Sequence, residues 1–160
     1  MLHYVLRALM VAVCVMGAAF SGQAQGLARP MSAAGVTGTW RGESVCVGNR
    51  AACKNEVVIY RFEPVARRST LITLLADKIV KGKRIPMYKL DFQYDETRHA
   101  LSCEFTQGHT HGTWEYKVDG DSMAGTGIVL PGKSVARRVK VRRVKEDQMP
   151  TAPDRDSYGP

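Results

Sequence analysis

The sequence predicts an all-β protein built as an eight-stranded antiparallel up-and-down barrel, and three observations lead there. From Val36 onward about eight runs carry strand character, several with apolar and polar residues in strict alternation. The runs are separated by turn chemistry, including Asp119-Gly120-Asp121 and Pro131-Gly132-Lys133, where glycine supplies the positive φ that tight hairpins need. No amphipathic helix of ten or more residues follows the N-terminal apolar stretch. Successive hairpins make a meander, and closing it removes the exposed edges of an open sheet.

In order, the first run is roughly 37 to 45 and the second is Glu56 to Glu63, ending before Pro64. The third is roughly 69 to 76, and Ala76 to Lys83 reads as a loop or one helical turn. The fourth has Tyr88, Leu90, Phe92 and Tyr94 alternating with Lys89, Asp91 and Gln93, so one face is buried and the other wet. Leu101, Cys103 and Phe105 repeat the pattern in the fifth, and Trp114, Tyr116 and Val118 in the sixth. The seventh and eighth cover roughly 122 to 130 and 134 to 145. In the eighth, Val135, Arg137, Val139 and Val141 share one phase, which makes Arg137 a charge on an apolar face.

At 160 residues, with 44% apolar and 24% charged residues, the chain has room for one globular domain and no mark of a fibrous protein. Residues 1–24 read as a signal peptide: Arg7, an apolar run from Ala8 to Phe20, then small residues at Gly22 and Ala24. An uncleaved anchor needs roughly 20 apolar residues, and a lipid anchor at Cys14 has the bulky Val13 before it. Residues 25–35 read as a flexible lead-in, 36–145 as the barrel, and 146–160, rich in Asp, Pro and Gly, as a disordered tail. Cleavage implies a periplasmic or secreted protein without a membrane span, expected to be a monomer.

In that oxidising setting disulfides persist. Removal of Cys14 leaves three cysteines, of which the close pair Cys46 and Cys53 is expected to be bridged, with Cys103 as a free thiol.

The stretch Val36-Thr37-Gly38-Thr39-Trp40-Arg41-Gly42 carries a Gly-x-Trp that resembles the opening motif of the calycins, the lipocalin-like and avidin-like barrels. The resemblance implies that Trp40 closes one end of the barrel beneath a basic side chain of the last strand, for which Arg137 is the candidate. A guanidinium over an indole gains about 0.5 to 2 kcal/mol. The chain also resembles a group of small exported bacterial proteins that begin with this motif and a nearby cysteine pair, a likeness that implies no activity.

The aromatic set Tyr60, Tyr88, Phe92 and Trp114 suits a ligand pocket. It suits also a barrel filled by its own side chains, the reading that strands near seven residues long favour. His109 and His111, bracketed by Gly108 and Gly112, read as a solvated hairpin loop, so no metal or cofactor is expected. The net charge is +8. The run Arg137 to Lys145, with Lys78, Lys81, Lys83 and Arg84, offers an anionic surface a partner, but the aromatics needed for nucleic-acid stacking fall in the inward phase. No Gly-x-Ser-x-Gly, His-Glu-x-x-His or phosphate loop occurs, so an enzyme is not expected. The expected function is that of an exported binding module for a small apolar or amphipathic ligand. The alternative is a protein–protein module, such as an inhibitor of a secreted hydrolase.

Overall fold

The computed structural model describes residues 32–48 and 52–159. The signal-peptide reading, the lipid-anchor alternative and most of the lead-in fall on residues 1–31, outside the described part. A four-residue helix, α1 (Ala33–Val36), precedes eight strands: β1 (Gly38–Cys46), β2 (Glu56–Val65), β3 (Arg68–Val80), β4 (Lys83–Asp95), β5 (Ala100–Gln107), β6 (Thr110–Asp119), β7 (Ser122–Leu130) and β8 (Ser134–Val144). Each strand pairs with the next and β8 returns to β1, giving a closed antiparallel barrel compatible with a calycin-like fold. Two 3₁₀ turns follow, at Glu146–Gln148 and Arg155–Ser157. No helix among the described residues is long and apolar enough to cross a membrane.

The loop or helical turn expected at 76–83 is strand instead. β3 runs on through Ile79 and Val80, and Lys81 and Gly82, at φ 49° and 78°, form a two-residue turn into β4. Two positive φ values in succession match the right-handed twist of a hairpin. The register shifts between Ala76 and Asp77, opposite Pro86, which has no N–H to give the ladder. Strands of 8 to 13 residues therefore replace the expected seven and make a taller barrel.

The alternation sets the interior as expected. Phe62, Ile72, Leu74, Phe92, Tyr116 and Val141 are among the buried inward residues, packed around rings such as Phe62 and Phe92, 6.2 Å apart. One end is closed by α1 and Trp40, whose indole Nε1 donates to the Val36 carbonyl at 3.0 Å. The guanidinium over Trp40 is that of Arg143, with Cζ 4.4 Å from the ring centroid, and not that of Arg137. Antiparallel pairing is the reason: Trp40, near the start of β1, faces Arg143 at the end of β8, whereas Arg137 faces Cys46 at the far end of β1. Arg143 also donates to the carbonyls of Thr37, at 2.5 Å, and Gly35, tying α1 across the opening.

The segment expected to be disordered, 146–160, lies along the outer wall through the last described residue, Gly159. Ile59, Thr73, Leu75 and Asp77 point outward from β2 and β3, yet all four are buried. Tyr158 is buried against this wall and donates to Asp77 at 2.5 Å. Glu146 accepts from Arg84 at 2.6 Å and from Thr39, and Arg155 pairs with Glu63. Arg84, expected in an exposed basic patch, is instead fully buried in an ion pair with Asp77 at 2.6 Å. The low apolar content of the tail did not leave it unpaired, because the barrel supplies the apolar wall and the partner charges. On β8 the wet phase is as expected, with Arg138, Lys140 and Arg142 exposed.

Candidate functional site: the cavity at the open end

The end opposite Trp40 is hollow, with a cavity of about 690 Å³, inside the range of small-molecule sites. The barrel is thus filled in one half and empty in the other. The longer strands account for this, since they raise the rim beyond the layer that the core rings fill. Tyr60, Tyr88 and Trp114 line the cavity, and Phe92 lies in the packed half against Phe62 and Tyr116.

The aromatic wall is seated on glycine. Trp114 and Tyr116, two apart on β6, stack at 5.7 Å with an interplanar angle of 10°. A Cβ at Gly127 of β7 would come within 2.8 Å of the Trp114 ring. Any side chain there would push the indole into the cavity.

Two phenols, of Tyr60 and Tyr88, lie at the cavity floor, and Tyr116 is buried against Tyr60. The Tyr60 hydroxyl lies 3.5 Å from that of Tyr88. The buried hydroxyl of Tyr116 has no partner in good hydrogen-bonding geometry among the described residues. Burial pushes the Tyr88 and Tyr116 phenols well above their ordinary value, with the neighbouring Tyr60 adding to the effect. Burial also raises Tyr60, although its neighbours Tyr88 and Tyr116 and the Arg137 charge offset part of the rise. All three therefore stay neutral, and the hydroxyls of Tyr60 and Tyr88, which line the cavity, can donate hydrogen bonds to a polar ligand atom.

Arg137 belongs to the rim. Its Nε donates to Ser44 Oγ at 2.8 Å, and its Nη2 to the Lys54 carbonyl and to Glu56 Oε2, both at 2.8 Å. Cys46 and Cys53 are bridged, and the Cys46 N–H donates to Asn55 Oδ1 at 2.9 Å. Arg137 and the bridge together fasten the β1–β2 connection to the mouth of the cavity. The disulfide suits an oxidising compartment.

Cys103 is a free, half-buried thiol that burial pushes up to about 12. It is therefore a poor nucleophile. His111 lies on β6 beside Thr106 and His109 in the preceding turn, both exposed. No group of three or more metal-ligating side chains occurs among the described residues.

Met87, Leu90 and Phe105, half-buried, also line the cavity, beyond the aromatic set expected there. Leu90 and Phe105 share the phase of Phe92 and Cys103, whereas Met87 falls in the wet phase, as the extra residue where the β3–β4 register shifts. Against protein-family models the chain has no match, and a search of curated proteins likewise returns none.

Proposed function

We propose that the protein is an exported binding module that holds a small apolar or amphipathic molecule in the open half of its barrel, acting by binding and not by turnover. The observation that carries this reading is the cavity of about 690 Å³, walled by Trp114, Phe105, Leu90 and Met87 and floored by neutral tyrosine hydroxyls. Such a site offers apolar area at about 25 cal/mol per Å² and a few donors to orient a polar atom. The disulfide supports export, and kinship with the calycins remains the reading of the Gly-x-Trp stretch.

The alternative, an inhibitor-like protein module, calls for a filled interior and a long projecting loop. The hollow end favours the ligand reading. Titration with the neutral fluorescent probe phenylnaphthylamine tests it. The native protein should bind one equivalent saturably, and Leu90→Trp, which places a large ring in the cavity, should weaken binding at least tenfold. No binding by the native protein, or equal binding by a folded Leu90→Trp, would overturn the proposal.

A further inference from the structure

The barrel wall is open along one seam. β4 and β5 pair over three positions only: Gln93 with Ser102, Tyr94 with Leu101 and Asp95 with Ala100. Continued in the same register, Asp91 would face Glu104 and Leu90 would face Phe105, yet the ladder ends. β4 stays paired with β3 beyond that point, and β5 stays paired with β6 through Gln107. The sheet therefore forks.

Side-chain chemistry accounts for the fork. Asp91 and Glu104 would be like charges directly opposite each other, which disfavours pairing. Asp91 is held to the β3 side by the Thr73 hydroxyl at 2.6 Å. Phe105 leans the other way, over Gly112 and against Trp114 at 6.3 Å, where a Cβ on Gly112 would come within 2.9 Å of its ring. Each edge is anchored away from the other.

The fork opens onto the cavity. Tyr88, Leu90 and Phe105 face inward from its two edges and are only half-buried, whereas Tyr94 and Leu101, in the paired part, are buried. Trp114 is a wall of the cavity and also of a groove of about 480 Å³ on the outer surface, bounded by Asp91, Gln93, Ser102 and Glu104. An apolar interior thus meets an outer groove where the β4–β5 ladder has ended, so that the backbone groups of the two edges have no ladder partner across it.

We infer that this seam is the passage and head-group site for a single-chain amphiphile, the chain lying in the cavity and the polar end resting between β4 and β5. This rests on the binding reading above and adds the ligand's class and orientation. These backbone groups suit an uncharged or cationic end. Asp91, Glu104 and the neighbouring Glu115 disfavour a carboxylate or phosphate, and among the described residues no basic side chain lines the groove.

Two experiments test it, each with phenylnaphthylamine reporting occupancy. In a Cys103→Ser background, Asp91→Cys with Glu104→Cys places thiols at facing positions of the fork. Oxidation should staple the seam and slow probe uptake at least tenfold, with recovery on reduction. In the unstapled native protein, dodecylamine should displace the probe at a concentration at least tenfold below that of dodecanoate. The double variant Asp91→Asn, Glu104→Gln should lose most of that preference. Unchanged uptake by the stapled protein would overturn the passage, and an unchanged or reversed amine preference would overturn the head-group assignment, even where the native protein binds probe. Failure of the native protein to bind probe would instead strike the binding reading itself.

Discussion

Replacing Arg143 by alanine removes three kinds of interaction at the closed end of the barrel. The stacked guanidinium over Trp40 contributes about 0.5 to 2 kcal/mol. The bonds to the Thr37 and Gly35 carbonyls are charge-assisted, about 1.5 to 3 kcal/mol each where fully desolvated. They lie in a half-exposed setting, so the lower figure applies. The pair with Asp121, whose side chain is 81% exposed, adds little. The expected loss is about 3.5 to 5 kcal/mol, a large share of a typical domain's stability of about 5 to 15. Trp40→Leu should also destabilise, through lost ring area and the lost bond to Val36.

Urea melts of both single variants and the double should show a coupling of about 0.5 to 2 kcal/mol, because one contact serves both residues. Arg137→Ala with Trp40→Leu should be additive, since the two residues sit at opposite ends. Coupling of Trp40 to Arg137 equal to that with Arg143 would refute the strand register from which these figures come.

Arg84→Ala should cost about 3 to 5 kcal/mol, because it leaves Asp77 buried without its cation; a loss under 1 kcal/mol in denaturant melts would contradict the buried pair. The tail should loosen in acid. Burial raises the Glu146 carboxyl, but the Thr39 hydroxyl and Arg84 outweigh it and hold it below its ordinary value. Its contribution is therefore present above the ordinary glutamate range and lost as pH falls through the lowered value. Limited proteolysis between pH 7 and 3 should show tail cleavage rising in the native protein and already high in Glu146→Gln, and a pH-independent native pattern would oppose the assignment. Reduction of Cys46–Cys53, which closes a short ring, should cost about 2.5 kcal/mol. Cys103 should react only slowly with a thiol reagent at pH 8, and rapid labelling of the folded protein would show that burial does not control it.

Strand phase was legible because side-chain direction in a strand has a period of two: Phe92, Trp114 and Val139 are inward as their alternation indicates. The closing arginine was also within reach. Arg143 shares the phase of Arg137, and antiparallel pairing requires the start of the first strand to meet the end of the last. The docked tail left a weaker trace, in Ile59 and Leu75, apolar residues in the wet phase of β2 and β3 that need a cover. The hollow half was hidden because apolar alternation describes a filled and an empty barrel equally, and strand length, which separates them, was concealed by the hairpin at Lys81 and Gly82. The fork has no local signature at all. The opposition of Asp91 and Glu104 emerges only once the register across the turn between Asp95 and Ala100 is known.

The binding reading places the ligand at one end of the barrel, and the two tryptophans stand at opposite ends as internal reporters. In nitrogen-15 correlation spectra of the uniformly labelled protein, titration with phenylnaphthylamine should shift the indole N–H signal of Trp114 saturably and leave that of Trp40 in place. Saturable binding that leaves Trp114 unmoved, or that moves Trp40 as much, would contradict a ligand site in the open half of the barrel.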